Sequence, residues 1–267
     1  MAQIEQVKQL MKAMWTSGDF GKIAELMEKS AEEFVARLNL KPGMRVLDVG
    51  CGTGNQAIPA TRTGAKVSAV DIAPNLLAQA AERAKREGLN IDFREGDAEA
   101  LPFGDGEFDV VMSMFAAIFA PRPEMVASEL LRVSRPGGLI AMGNWTLDSF
   151  IARQSVIMAK FVPPPPGSAN PMDWGEERIV RERFGDRAEV TCTRRSFVFD
   201  LPFAVSEAEE YFRRYLGPAQ IVMSRLDESG KQRLIEELRE FWNHENRGDA
   251  TRTIISTEYL EVHARPR

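Results

Sequence analysis

Val46-Leu47-Asp48-Val49-Gly50-Cys51-Gly52-Thr53-Gly54-Asn55 is the stretch of the chain that decides the fold. It begins as an apolar run rich in β-branched residues, with the turn residues Pro42-Gly43 before it and glycines at alternate positions after it. This pattern predicts a buried strand, residues 45–49, that leads into a tight loop. Glycines let the loop backbone approach a ligand closely, and a helix expected from Gln56 onward would direct free N–H groups at that ligand. The stretch therefore predicts a binding site for a nucleotide-like ligand.

The spacing of these glycines distinguishes two kinds of cofactor site. The dinucleotide fingerprint is G-x-G-x-x-G. Here the spacing is G-x-G-x-G, and Asn55 stands where that fingerprint needs its third glycine. Asp48 lies two residues before the first glycine, and a carboxylate in that place favours a cationic ligand over a pyrophosphate.

The same stretch resembles the first motif of the class I S-adenosylmethionine-dependent methyltransferases, which has the form acidic-x-G-x-G-x-G. The resemblance implies that S-adenosylmethionine is the cofactor and S-adenosylhomocysteine the product. It also implies that this loop binds the cofactor, through Asp48, Gly50, Cys51, Gly52, Gly54 and Asn55.

Asp71 is a second candidate contact to the cofactor. It ends a predicted strand, residues 65–71, and follows the glycine loop at roughly the 20-residue distance at which an acidic side chain binds a ribose diol. Ile72, the next residue, is assigned to the same part of the site. The alternative is that Asp71 caps the following helix, whose first turn contains Pro74 and which Gly88 ends.

The segment Glu95-Gly96-Asp97-Ala98-Glu99-Ala100-Leu101-Pro102-Phe103 follows a third predicted strand, residues 91–94. It resembles the methyltransferase segment in which an acidic side chain accepts from the adenine amino group and the next backbone N–H donates to a ring nitrogen. Those positions are Asp97 and Ala98 here. The alternative for Asp97 is a turn or helix-cap residue.

A fourth predicted strand, residues 108–114, ends at Met114 and Phe115, which the resemblance also places at the cofactor. Residues 114–121 are apolar and correspond to the place where the methyl donor meets its acceptor in the family. Some relatives have a histidine in this loop, and this chain has none. The other candidate bases lie far from these motifs in the sequence, so none is assigned; they are His244, His263, Tyr211, Tyr215 and Tyr259.

Alternating strands and helices predict an α/β fold with a doubly wound, mainly parallel sheet. A fifth strand, residues 139–145, follows the Pro136-Gly137-Gly138 turn, and two more strands are expected at residues 189–201 and 253–263. By resemblance, the whole is a seven-stranded Rossmann-like sheet whose last strand is antiparallel. Helices are expected over residues 4–14, 21–38, 74–88, 124–133 and 150–161, from a capping box at Ser206 and Glu209 until Gly217-Pro218, and around residues 234–242.

The resemblance to the methyltransferases implies three regions. Residues 1–40 form an N-terminal helical lid, in which Trp15 either covers the methionine end of the cofactor or packs the lid onto the sheet. Residues 41–201 and 251–267 form the cofactor-binding α/β core, and residues 202–250 form a helical insertion that shapes the acceptor pocket. The tract at residues 163–166 is either a lip over the site, together with Trp174, or a surface connection.

Composition sets limits on the class of protein. The chain has 267 residues, of which 44% are hydrophobic and 27% charged, as in ordinary globular proteins. A net charge of −5 argues against a general nucleic-acid binder, and two cysteines indicate neither a disulfide framework nor a metal cluster. The mixed charges of the N-terminus and the lack of a long apolar run predict a cytoplasmic protein with no membrane span.

The sequence therefore predicts a methyltransferase that uses S-adenosylmethionine and methylates a small-molecule acceptor. In-line displacement in an apolar pocket requires positioning first of all, and a base only where the acceptor must lose a proton of high pKa. Two alternatives are an NAD-dependent oxidoreductase and a protein that binds S-adenosylmethionine without catalysis. The sequence specifies neither the methylated atom nor an oligomeric state.

Overall fold

The computed structural model describes residues 2–165 and 168–267, and its centre is a seven-stranded sheet in the order β3-β2-β1-β4-β5-β7-β6. All neighbouring strands are parallel except β7, which runs antiparallel to β5 and β6. The strands are β1 (Arg45–Val49), β2 (Lys66–Asp71), β3 (Asp92–Glu95), β4 (Phe108–Met114), β5 (Ser134–Trp145), β6 (Ala188–Leu201) and β7 (Thr253–Pro266).

Helices cover the sheet, and three of them lie between β6 and β7 in the chain. They are α1 (Ala2–Thr16), α2 (Phe20–Glu25), α3 (Glu28–Arg37), α4 (Ala57–Arg62), α5 (Pro74–Arg86), α6 (Pro123–Val133), α7 (Phe150–Phe161), α8 (Glu177–Phe184), α9 (Val205–Tyr215), α10 (Gly217–Ser224) and α11 (Glu228–Glu245). Short 3₁₀ turns lie at Ala117–Phe119, Pro171–Gly175 and Gly185–Arg187. In the described part of the chain, every helix is too short or too polar to traverse a bilayer.

The strand order reverses between β1 and β4, which are neighbours although β2 and β3 separate them in the chain. In open parallel sheets the crevice at such a reversal, at the carboxyl ends of the strands, is where ligands bind. The central strands are buried on both faces, as parallel strands between helical layers must be. The predicted fold class is confirmed, and it places the glycine loop after β1 at this crevice.

Several predicted helix boundaries are wrong. The helix expected over residues 21–38 is broken between α2 and α3, where the Ala24 carbonyl accepts the Asn55 side-chain amide at 2.8 Å. Ser206 lies inside α9 and does not cap it, while Glu209 is buried and binds Arg213 at 2.8 Å.

The helix predicted to end at Gly217-Pro218 does end there, since α9 stops at Tyr215, and Gly217 then begins α10, which was not predicted. A side chain at Gly217 would collide with the Met14 carbonyl, so the missing Cβ lets α10 pack against α1. Strand β5 also begins earlier than predicted, at Ser134, so the Pro136-Gly137-Gly138 segment lies inside it, next to a register shift against β4.

The predicted lip over the site is not observed. Residues 163–165 are exposed and do not line the central cavity, and Pro166 lies outside the described residues. Trp174 is fully buried against Phe184, with its ring under the Arg183 guanidinium at 4.4 Å. It stabilises the junction of β5 and α8.

Candidate functional site

A cleft of about 1100 Å³, including its open mouth, lies at the carboxyl ends of β1, β2 and β4. Helices α1, α2 and α3 cover it from the side opposite the sheet. All but two of the predicted cofactor residues line the cleft, namely Trp15, Gly50, Cys51, Gly52, Asn55, Asp71, Ile72, Asp97, Ala98, Met114 and Phe115. The two exceptions are Asp48 and Gly54.

The glycine loop needs its glycines for different reasons. A Cβ on Gly50 would collide with the Cβ of Ala116, so this glycine permits the segment after β4 to cross the loop. Gly52 has φ of 52° and would meet no protein atom within 4 Å, because it faces the open cleft. Gly54 has φ of 86° and packs against Ile58 and Ala80, which explains why it does not reach the cleft.

Asp48 lies beneath this loop and not in the cleft, which corrects the expectation that it faces the ligand. It is fully buried, and neither carboxylate oxygen has a hydrogen-bond partner. Burial, and to a smaller extent the nearby Asp71 charge, raises the pKa of Asp48 to about 8, and the Ala57 N–H opposes this shift.

Asp71 fixes the backbone on both sides of the cleft. One carboxylate oxygen accepts the Gly52 N–H at 2.8 Å, and the other accepts the Ala73 N–H at 2.9 Å. Burial raises the pKa of Asp71, and these hydrogen bonds oppose the shift. The alternative role predicted for Asp71, to cap α5, is partly observed, because Asp71 accepts the N–H of Ala73 at the start of that helix. An ionised carboxylate has about four acceptor positions, so positions remain for a ligand.

Asn55 lines the cleft, but its polar atoms bind protein. Its amide donates to the Ala24 carbonyl, and its oxygen accepts from Arg83 at 2.8 Å. Arg83 also donates to the Thr53 carbonyl at 2.9 Å and pairs with Glu28 at 2.6 Å. Arg83 was not predicted as a site residue. In the sequence, it is marked only by its position beside the buried face of α5.

Asp97 and Ala98 follow β3 at the far end of the cleft. One Asp97 oxygen accepts the Glu99 N–H at 2.8 Å, so the turn predicted as the alternative is present. The other oxygen is bound by Lys8 of α1, which also lines the cleft and was missed in the sequence. Lys8 bonds Glu99 as well, at 2.6 Å.

The wall opposite the glycine loop is apolar and aromatic. Trp15 packs edge-on against Phe20 and Phe119, with ring centroids 5.4 Å and 5.1 Å away, so it both lines the cleft and holds the helices together. Phe115 has φ of 60°, which is rare for a bulky residue, and its ring stacks on Trp145 at 3.7 Å. This strained turn directs the chain after β4 across the cleft.

Comparison with known proteins identifies the family. A family model described as a methyltransferase domain matches residues 46–138. An uncharacterized protein of Mycobacterium tuberculosis is 40% identical over 211 residues, which are 78% of this chain and 77% of that protein. The chain belongs to the class I S-adenosylmethionine-dependent methyltransferases. Its cofactor is therefore S-adenosylmethionine and its second substrate is a methyl acceptor, and the NAD-dependent alternative is not favoured.

Two further matches agree with this assignment. Methyltransferase GfsG of Streptomyces halstedii is 34% identical over 153 residues, 52% of this chain and 55% of that protein. The crystal structure of a putative methyltransferase from Bacillus halodurans has the same fold, with a TM-score of 0.60 and 20% identity over 90% of this chain and 100% of that chain.

The cleft of this methyltransferase offers its cofactor both space and polar groups. Gly52 is open towards it, Asp71 and Asp97 present carboxylates, and burial keeps the pKa of the Cys51 thiol above its usual range. The histidines and tyrosines of the chain do not line the cleft; burial lowers the pKa of His263, and His244 is exposed. Among the described residues, no group of His, Cys, Asp or Glu is arranged to hold a metal ion.

Proposed function

We propose that this methyltransferase transfers a methyl group to a small, largely apolar acceptor inside the cleft. The observation that carries the proposal is the apolar lining that Met11, Met27, Ala31, Phe119 and Pro121 give the cleft. A lining of this kind stabilises an apolar body by excluding water from it.

The cofactor contacts are assigned to the carboxyl ends of the strands. Asp71 would accept from the ribose hydroxyls with the acceptor positions that Gly52 and Ala73 leave free. Asp97 and the Ala98 N–H would bind the adenine ring, and Trp15 would cover the methionine end. Asp48 supports the loop from beneath in this proposal.

S-adenosylmethionine, when bound, supplies an activated methyl carbon on a sulfonium. The residues of the chain then have to hold the two substrates in line and exclude water, which can contribute up to about 7–11 kcal/mol in ideal cases. The segment after β4 is held in place for this role. The Phe115 N–H donates to the Gly143 carbonyl at 2.8 Å, and the Ala117 N–H donates to Ser113 at 3.1 Å.

The ionisable side chains that line the described cleft are already engaged or neutral. They are Lys8, Cys51, Asp71 and Asp97, of which Lys8 is paired with Asp97 and Asp71 is bound to backbone N–H groups. The proposal therefore assigns positioning to the protein and leaves the nucleophile to the acceptor.

The test uses S-adenosylmethionine with a tritiated methyl group and a panel of aromatic and aliphatic thiols, amines and phenols, with protein and nucleic acid as additional acceptors. We expect label in an apolar small molecule and an equal amount of S-adenosylhomocysteine. A Gly52→Val variant, in which the loop is strained and the cleft obstructed, is the negative control. Label found in protein or nucleic acid but in none of the small molecules would contradict the proposal.

A further inference from the structure

The side of the cleft at Asp97 carries a charge arrangement that joins α1 to the segment after β3. Lys8 and Lys12 lie one helical turn apart on α1 and face three carboxylates, those of Glu95, Asp97 and Glu99. Lys8 binds Asp97 and Glu99, and Lys12 binds Glu95. The two lysines therefore make similar ion pairs in different surroundings.

The two ion pairs differ in burial. The Lys8 side chain is 14% exposed and lines the cleft. It binds Asp97 and Glu99, and the Glu99 carboxylate is fully buried. The Lys12 side chain is 41% exposed and Glu95 is 50% exposed, and neither lines the cleft. Exposed pairs contribute little, whereas a buried carboxylate that loses a partner is strongly destabilised.

Glu99 has further partners that keep it in place. One of its oxygens accepts the Arg122 N–H at 2.6 Å, and the other accepts from the Arg122 side chain at 2.7 Å. Burial acts to lower the pKa of Lys8, but its bonds to Asp97 and Glu99 outweigh this effect and the pKa is raised. Lys8 is thus a cation that Glu99 holds in place, and Glu99 in turn is held by Arg122. From this fixed position Lys8 binds Asp97.

We propose that Lys8 is a positioning residue for the cofactor: it holds the Asp97 carboxylate in the orientation that accepts the adenine amino group, and it keeps α1 closed over that end of the cleft. Among the described residues, the Asp97 carboxylate otherwise accepts a single protein hydrogen bond, from the Glu99 N–H. The inference rests on the proposed function, because it requires that Asp97 binds adenine.

The experiment measures the Kd of S-adenosylmethionine and S-adenosylhomocysteine by calorimetry for Lys8→Met and for the matched control Lys12→Met. We expect Lys8→Met to raise both values at least fivefold and Lys12→Met to change them less than twofold. Lys8→Arg, which keeps the cation, should restore most of the affinity. Equal effects of Lys8→Met and Lys12→Met, or no effect of Lys8→Met in a folded protein, would overturn the inference.

Asp97→Ala, which removes the acceptor oxygens, separates this inference from the assignment on which it rests. If Lys8 acts through Asp97, the double variant Lys8→Met/Asp97→Ala should bind no more weakly than Asp97→Ala alone. Fully additive losses would overturn the inference and leave the adenine assignment standing. Unchanged affinity in Asp97→Ala would reject the assignment of adenine to Asp97, and the inference with it.

Discussion

The Asp71 carboxylate accepts the Gly52 N–H at 2.8 Å and thereby joins the end of β2 to the loop that follows β1. Because Asp71 is buried and both its oxygens bind backbone, its position is fixed before any ligand arrives. One side chain therefore shapes the glycine loop, and in the proposed site its free acceptor positions would bind the ribose. Asp71 and Gly52 should accordingly contribute to cofactor affinity as a unit.

Replacement of Asp71 by alanine is expected to weaken S-adenosylmethionine binding by tenfold or more. Hydrogen bonds to a charged group contribute about 1.5–3 kcal/mol, and this variant loses those to the ligand and those that hold the loop. Calorimetry measures the change, and Asp92→Ala, an exposed carboxylate outside the cleft, is the control with unchanged affinity. Unaltered binding in a folded Asp71→Ala protein would remove Asp71 from the site.

Replacement of Gly52 by valine should abolish cofactor binding, because the new side chain would project into the cleft. Gly43 offers a matched control: it also has a positive φ and open space around it, but it does not line the cleft. Both variants should lose roughly 1–2 kcal/mol of stability from backbone strain. Thermal unfolding measures the loss of stability in each variant, and calorimetry measures the affinity for the cofactor. If both variants lost binding equally, backbone strain alone would account for the loss of binding in Gly52→Val.

The sequence was sufficient for those parts of the site that depend on local pattern. Gly50, Asp71 and Asp97 lie at or just after the carboxyl ends of β1, β2 and β3, and the ends of parallel strands meet at one edge of the sheet. The order of the motifs therefore placed them together without knowledge of any long-range contact. The central strands β1 and β4 were recognisable because they are buried on both faces and mostly apolar.

The missed features depend on contacts between residues distant in the chain. Lys8 meets Asp97 across 89 positions, and Arg83 meets Thr53 across 30, and nothing in the local pattern of α1 or α5 marks either residue. Gly217 was recognised as the end of α9, but its close approach to the Met14 backbone was not. Asp48 belongs to the motif and yet lies under the loop, which only the three-dimensional path of β1 shows.

Arg83 should be as important to the cofactor site as the motif residues it binds. Arg83→Gln would free Thr53, Asn55 and Glu28 from their common partner, and we expect about a tenfold rise in the Kd of S-adenosylmethionine as the loop loosens. Arg86→Gln on the same helix, an exposed position outside the cleft, is the control. Equal affinity for the Arg83→Gln and Arg86→Gln proteins would contradict the role given to Arg83.

Asp48 should make the stability of the fold depend on pH. Burial raises its folded pKa to about 8 from the ordinary value of 3.8, so between those values the folded protein holds a proton that the unfolded chain has released. The stability that this proton contributes is complete below the lower value, falls by about 1.4 kcal/mol per pH unit between the two values, and is lost once the pH has risen through the upper one. Asp48→Asn removes this titration. The difference in unfolding free energy between wild type and Asp48→Asn, from urea denaturation at pH 5.5, 6.5 and 7.5, should therefore shift steadily in favour of the variant. A difference that stays constant over this range would mean that Asp48 is ionised in the folded protein and has a partner beneath the loop.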